Sequence, residues 1–398
     1  MSEKQNNISH VLPTYSRMNV KFERGSGAHL YDENGDDYVD FGSGIAVNLL
    51  GHCHPKMVKA LKDQSEKLWH TSNLYIMSGQ ENLSDRLSKL TFADKMFFTN
   101  SGAESVECAI KMARRYHYCT GNVNKNRIIT FEGSFHGRTL ATIAAAGSAK
   151  MLEGFGPDLD GFDNVPFYDD MADVEKHITD NTAAIMIEPV QGEGGIRNVS
   201  DENLKTLRKL ADDNGLLLIF DEVQCGVGRT GKLFAYEHAG VTPDIMAIAK
   251  GIGGGFPLGA CLAIEDVACH MTKGTHGSTY GGNPLATAMG SAVLDIIEEE
   301  KILDNVNEMS AYLCDHLETL RRRYPDIIDL VRGLGLMIGV KLKIEPPVLV
   351  SAALENKLLL VGASDNTVRM LPPLNVTKKD IDLAIERLEK SIKQIQNS

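Results

Sequence analysis

Short apolar runs that break abruptly onto polar residues constrain this chain more than any other feature. Met96-Phe97-Phe98, Arg127-Ile128-Ile129-Thr130-Phe131, Ala183-Ala184-Ile185-Met186-Ile187, residues 216–220 and residues 245–249 carry apolar side chains with little polar alternation. A strand with one wet face alternates, so such runs predict strands buried on both faces, as in a parallel sheet covered by helices. Stretches such as 104–116 and 202–213 have helical character between them. The β, α, β, α order predicts an α/β domain over residues 61–285. Before it, residues 1–60 alternate short apolar runs with turn signals, including a hairpin expected around Asn34-Gly35. After it, 286–300 and 306–323 read as amphipathic helices ahead of a mixed tail. Residues 286–398, with the N-terminal hairpin region, predict a smaller domain built from both ends of the chain.

Bulk properties exclude several classes of function. At roughly 150 residues per domain, 398 residues suggest two or three folding units, large enough to need no disulfide or metal staple. A net charge of −12 argues against a nucleic-acid partner, whose phosphates are met by clustered Lys and Arg. Cys53, Cys108, Cys119, Cys225, Cys261, Cys269 and Cys314 are odd in number and contain no CxxC, which predicts reduced thiols in the cytoplasm. Residues 1–10 are polar, with no basic start and apolar run, so no secretory signal is expected. No stretch approaches the roughly 18 consecutive apolar residues of a membrane span. A soluble cytoplasmic protein is expected.

Ligands of open α/β sheets bind outside the carboxyl ends of the strands. Here those ends carry residues 100–104, 188–193, 221–224 and Lys250, all on one rim. Lys250 closes the run 245–249 and precedes Gly251-Ile252-Gly253-Gly254-Gly255. A lysine at a buried strand end can have its pKa lowered enough to act as an amine nucleophile, although a solvated lysine in a glycine loop fits the segment equally. A phosphate-binding P-loop places its lysine after the glycines, and no G-x-G-x-x-G occurs here. Asp221 caps the most apolar run, where a carboxylate needs a cation; a protonated pyridine nitrogen is one, and a turn cap or a metal ligand is the alternative.

Other segments carry weaker signals. Thr99-Asn100-Ser101-Gly102-Ala103-Glu104 follows a strand and opens a helix, which suits a phosphate on backbone N–H groups or a plain capping box. In Ser134-Phe135-His136-Gly137-Arg138-Thr139, Phe135 offers a face for a flat ring and Arg138 a bidentate clamp for a carboxylate. His136 fits a structural role better than that of a general base, because Lys250 can already shuttle a proton. His52-Cys53-His54 lacks further ligands in sequence, and a turn before Pro55 fits it better than a metal; no metal site is expected.

Together these segments resemble the class III, or ornithine-type, aminotransferases of the fold-type-I pyridoxal-phosphate (PLP) enzymes. The resemblance runs from Phe22-Glu23-Arg24-Gly25 and Asp40-Phe41-Gly42-Ser43-Gly44-Ile45-Ala46-Val47 through Glu188-Pro189-Val190-Gln191-Gly192-Glu193. It ends on His276-Gly277-Ser278-Thr279-Tyr280-Gly281-Gly282-Asn283-Pro284 and Arg369-Met370-Leu371-Pro372-Pro373. It implies an α/β fold with a mostly parallel central sheet flanked by helices, a smaller α+β domain from both termini, and PLP as cofactor.

The resemblance also implies roles. Lys250 would carry the cofactor as a Schiff base and move the reaction's proton. Asp221 would hold the pyridinium, Val223 and Phe135 would cover the two ring faces, and Gln224 would reach the ring oxygen, with Glu222 in the same cofactor-binding segment. Gly102 and Ala103 amides would bind the phosphate, joined by Thr279 of a neighbouring subunit, which implies a homodimer with shared sites. Arg138 would grip a substrate carboxylate, with Ser278 nearby and Tyr15 at the far end of the pocket. Glu193 would mask Arg369 during one half-reaction and release it to 2-oxoglutarate in the other. Ile45 stands where ornithine-specific members carry tyrosine, and His70-Thr71-Ser72-Asn73-Leu74-Tyr75 and Thr14-Tyr15 resemble the subgroup acting on N2-acetyl-L-ornithine in arginine biosynthesis. Ornithine, 4-aminobutyrate or another ω-amino acid is the alternative donor. Ser105-Val106 departs from the family's usual Ala-Asn and is expected to alter packing rather than chemistry.

Overall fold

In a computed structural model, residues 10–397 are described, so the polar opening segment 1–10 lies, up to residue 9, outside the described residues. The apolar runs form a seven-stranded sheet in the order Lys95–Thr99, Gly259–Ala263, Ile245–Ile248, Leu217–Asp221, Thr182–Ile187, Arg127–Phe131, Phe162–Val165. Gly259–Ala263 runs antiparallel to both neighbours, and the remaining pairings are parallel. Every residue of Thr182–Ile187, Leu217–Asp221 and Ile245–Ile248 is buried, as expected of strands covered on both faces.

The antiparallel strand Gly259–Ala263 was not among the expected runs. It is made of small residues, and the reason is packing: a Cβ at Gly259 would stand 2.6 Å from Thr99 Oγ1 and 2.7 Å from Ser105 Oγ. The helix Gly102–Cys119 crosses the sheet here, burying Val106, Cys108, Ala109 and Ile110 against it. On the opposite face, Asp201–Asn214 buries Leu204, Leu207 and Leu210. Its N-cap Ser200 accepts from Asn203 N, and Gly215 (φ 58°) ends it in the left-handed conformation.

Both chain ends contribute to smaller sheets. The expected hairpin at Asn34-Gly35 joins His29–Asp32 to Asp37–Asp40, and the latter pairs in parallel with Leu358–Leu359. A second sheet orders Ile328–Leu334, Met337–Leu342, Thr367–Met370 and Val361–Ala363. Helix Pro55–Ser65 runs across the expected break at 60/61, and Pro284–Glu299 packs on it and on Ser78–Leu90. All seven cysteines are free. No helix among the described residues is long and apolar enough to cross a membrane.

Arg229 ties the tail to the large sheet. It is fully buried, and its Nη1 donates to Leu336 O at 3.0 Å and Pro372 O at 2.5 Å. No carboxylate among the described residues pairs with it, and burial alone pulls its guanidinium down to about 9. Arg229→Ala removes both bonds and opens a cavity, so a loss on the order of 3 kcal/mol is expected. An unshifted urea midpoint would contradict that clasp role.

Candidate active site

The carboxyl ends of the sheet line a cavity of about 400 Å³. Lys250, Asp221, Phe135, Val223, Gly102 and Arg138 meet there, although 148 positions separate the first and last of them in sequence (250 − 102). The rim expected from the strand ends therefore brings most of the named residues together.

Asp221 is the last residue of its strand and only 2% exposed. Its Oδ1 accepts from Val223 N at 3.0 Å, and its Oδ2 meets His136 Nδ1 at 2.7 Å. Burial alone would lower the His136 imidazole, but the hydrogen bond and charge of Asp221 outweigh it and the net shift is upward. His136 is thus an aligning partner of the carboxylate. Sequence reading left that pairing unseen, since no spacing connects residue 136 with 221.

Lys250 stands in the left-handed region (φ 45°), two residues past the end of Ile245–Ile248. That is an unfavoured backbone for a lysine, and strain of this kind clusters at active sites. Its amine makes no hydrogen bond or ion pair with any described residue. Burial lowers it from the ordinary lysine value, against an opposing pull from the Asp221 charge.

The helix Gly102–Cys119 opens on the opposite wall. Ser101 caps it by accepting from Glu104 N at 3.3 Å, while the Glu104 carboxylate takes Asn100 N. Gly102 and Ala103, whose amides have no intrahelical acceptor, line the cavity. A Cβ at Gly102 would meet Val223 Cγ1 at 2.6 Å, so only glycine lets the helix start seat against Val223. Ser105, expected to change packing alone, also hydrogen-bonds: its hydroxyl meets Thr99 Oγ1 at 2.6 Å and donates to Ile248 O at 3.0 Å, two residues before Lys250.

Arg369 is 2% exposed; its Nη1 lies 2.7 Å from Glu193 Oε1 and 3.5 Å from Gln224 Oε1, and its Nη2 donates to Gly362 O at 3.0 Å. Gln224 lines the cavity, so the pair sits just behind its wall. Arg138 is exposed at the mouth with its guanidinium carbon 5.4 Å from the Phe135 ring centre.

Other expected residues lie elsewhere. Glu222 is turned away from the cavity: its fully buried carboxylate accepts from Ala235 N at 2.6 Å and Tyr236 N at 2.8 Å, because alternation along an extended segment sends neighbours of Asp221 to the other side. Ser278 and Thr279 lie outside the cavity of their own chain, Ser278 Oγ meeting Asn100 Nδ2 at 3.2 Å. Tyr15 is 77% exposed and lines no wall with Lys250. His52 pairs with Asp40 at 2.8 Å and His54 with Glu300 at 3.3 Å, so the two histidines serve different partners.

A free, desolvated amine, a buried carboxylate held by histidine, an aromatic face and open helix amides are the complement of a flat, phosphorylated, aldehyde-bearing pyridine. The fold and these residues define a PLP enzyme of fold type I. The model of the class III aminotransferases matches residues 11–392. The acetylornithine aminotransferase of Agrobacterium fabrum is 57% identical over 95% of both chains, and that of Mesorhizobium japonicum 55% over 98% of both. Among solved structures, the ornithine aminotransferase of Toxoplasma gondii superposes with a TM-score of 0.92 at 32% identity, covering 98% of this chain and 93% of that one. The N-acetylornithine aminotransferase of Stenotrophomonas maltophilia gives 0.85 at 36%, covering 96% and 98%. The chain belongs to the class III aminotransferases and uses PLP to move amino groups.

Because Lys250 must be unprotonated to combine with the cofactor, that reaction should rise with pH through a midpoint below the ordinary lysine value of 10.5. Stopped-flow mixing of apoprotein with PLP across pH measures it; a midpoint at or above 10.5 would contradict a desolvated amine. Lys250→Ala should lose transamination by at least about 10³-fold, and substantial turnover in that variant would remove Lys250 from the chemistry.

Proposed function

We propose that this enzyme, in the cytoplasm, moves the terminal amino group of N2-acetyl-L-ornithine to 2-oxoglutarate, giving the semialdehyde and glutamate in arginine biosynthesis. The observation that carries the reading is the Arg369–Glu193 pair at 2.7 Å, a buried guanidinium masked by a carboxylate within reach of the cavity wall. The names of the 55–57% identical relatives point to the same donor.

The cofactor, when bound, supplies an electrophilic carbonyl carbon and a pyridinium ring that takes up the electron pair of the reacting carbon. Asp221, aligned by His136, keeps the proton on the ring nitrogen. Phe135 and Val223 cover the ring faces and exclude water. The Gly102 and Ala103 amides, at the positive end of their helix, bind the phosphate. Gln224 reaches the ring oxygen. Lys250 would hold the cofactor's carbonyl carbon, and its amine, once displaced by the donor's, would serve as the base and acid that moves the reaction's proton. Arg138, at the mouth, grips the donor carboxylate bidentately. Glu193 masks Arg369 while the acylated donor is bound, since an unpaired guanidinium would discriminate against its tail; swung aside, it frees Arg369 for the acceptor's carboxylate.

The reading includes a homodimer with shared sites. Leu74 and Ile76 are each 87% exposed, beside Asn73, whose Nδ2 donates to Ser278 O at 3.0 Å, and His70 stacks obliquely on Tyr280 at 5.0 Å. An apolar surface beside Ser278 and Thr279 suits a second copy of the chain, to which Thr279 would lend its hydroxyl. Sedimentation should give a dimer; a fully active monomer would end this part of the reading.

Mixing the holoenzyme with single donors and following the cofactor's absorbance tests the substrate. N2-acetyl-L-ornithine should convert it fastest; no change with that donor and conversion by 4-aminobutyrate or ornithine would overturn the assignment. Arg369→Ala should impair the 2-oxoglutarate half-reaction at least about tenfold more than the donor half, the scale of one lost charge-assisted bond. Equal losses would refute the masking role.

A further inference from the structure

Glu188 has no assigned task in the chemistry above, yet it is 4% exposed, lines the cavity and directly follows the buried strand Thr182–Ile187. A carboxylate withdrawn from water at the wall of an active site demands partners, and Glu188 has chosen two that matter. Its Oε2 accepts from the backbone N–H of Phe135 at 3.0 Å, the residue whose ring faces the cavity. Its Oε1 accepts from the backbone N–H of Gly192 at 3.3 Å, the residue next to Glu193.

Gly192 is itself pinned from the other side. A Cβ there would stand 2.4 Å from Gln224 Oε1, so the Gln224 amide packs flat on the Gly192 backbone. The same Gln224 oxygen is 3.5 Å from Arg369 Nη1. A continuous line of direct contacts thus runs Phe135, Glu188, Gly192, Gln224, Arg369, with Glu193 branching from Gly192 to the same guanidinium.

We propose that Glu188 is a positioning residue that fixes the Phe135 ring face and the base of the Glu193–Arg369 pair with one carboxylate, so that unmasking is a swing of the Glu193 side chain on a held backbone. The inference rests on the masking role given to that pair above. Both acceptor oxygens are needed at once: an anion offers two, whereas an amide in the same space offers one and turns a donor toward the other N–H. Burial pushes Glu188 up to about 7, and the neighbouring His136 works against that shift. Each N–H bond held to the carboxylate is of the strong, charge-assisted kind.

Glu188→Gln separates positioning from mere packing, because the two side chains have nearly the same shape. PLP titration into the apoprotein should show affinity weakened about tenfold, the fold-change of one such bond. Single-turnover conversions of the loaded variant should show the 2-oxoglutarate half-reaction slowed about fivefold or more beyond the donor half, in the direction of Arg369→Ala. Glu188→Asp, which keeps both oxygens, should recover part of the PLP affinity. A variant with unchanged PLP affinity and equal loss in both halves, or with a lowered melting temperature as its one defect, would overturn the proposal. If Arg369→Ala itself fails to split the half-reactions, the masking role has failed; if it splits them and Glu188→Gln does not, Glu188 alone has lost its role.

Discussion

A carboxylate at the end of a fully apolar strand is the constraint around which this structure is organised. Asp221 follows Leu217-Leu218-Ile219-Phe220, all buried, and is 2% exposed itself. An isolated charge in such surroundings is very costly, so the fold must hold a cation against it or leave it neutral. His136 supplies one face of that requirement, and in the proposed reading the ring nitrogen of the cofactor supplies the other. The need for two cationic neighbours explains why residues from several strand ends converge here. It also explains why Lys250 stays free: its amine is attracted by the same carboxylate without being captured in a bond, so desolvation wins and the nucleophile is kept uncharged more readily.

The strained backbone sits where this electrostatic frame has to be met by side chains of fixed reach. Lys250 adopts φ 45°, and Ser43, Gly44, Ile45 and Ala46 follow one another at 45°, 59°, 62° and 61°. Left-handed residues other than glycine cost on the order of 1 kcal/mol each, and a row of them persists only when held. Asp40 holds this row: its Oδ1 accepts from Gly42 N and Ser43 N, each at 2.9 Å, and its Oδ2 pairs with His52. The pair His52–Asp40 thereby has a structural task, which accounts for the histidine that a metal reading would have used.

What the sequence made legible follows from the range of the forces involved. Burial of strands is written in consecutive residues, so the central strands and the rim they form were readable from apolar runs. Lys250, Asp221, Gly102 and Phe135 lie on that rim because strand ends place them there. The strand Gly259–Ala263 was not readable, since its small residues answer to a helix packed across it rather than to any local periodicity. The pairing of His136 with Asp221, the carbonyl clasp of Arg229 and the bond from Phe135 N to Glu188 join positions 53 to 143 residues apart. Contacts of that separation leave no spacing to recognise, apart from the rule that a buried charge must have a partner. Applied to Asp221, that rule did ask for a cation; applied to Glu222, it was satisfied by backbone amides facing away from the cavity.

The site is assembled by two kinds of physics, and the division bears on specificity. The cofactor half is made mostly by strand ends and a helix start, where close packing leaves little latitude; Gly102 against Val223 admits no additional atom. In the proposed reading the substrate half is made by surface features, Arg138 at the mouth, Ile45 on a held turn, and Tyr15 and Ser278 outside the cavity of their own chain, while Thr279 joins the cofactor half from a second copy. Surface loops change residue without disturbing a core, so donor choice can diverge while the chemistry stays fixed. That is why solved relatives at 32–36% identity share this fold with TM-scores of 0.85–0.92 yet carry the names of two different amino donors. Arg369 lies between the two halves: buried like the first, and answering to Glu193, a third exposed, like the second. In the proposed reading a single guanidinium serves two substrates from such a position, with its charge already desolvated and its partner at the surface.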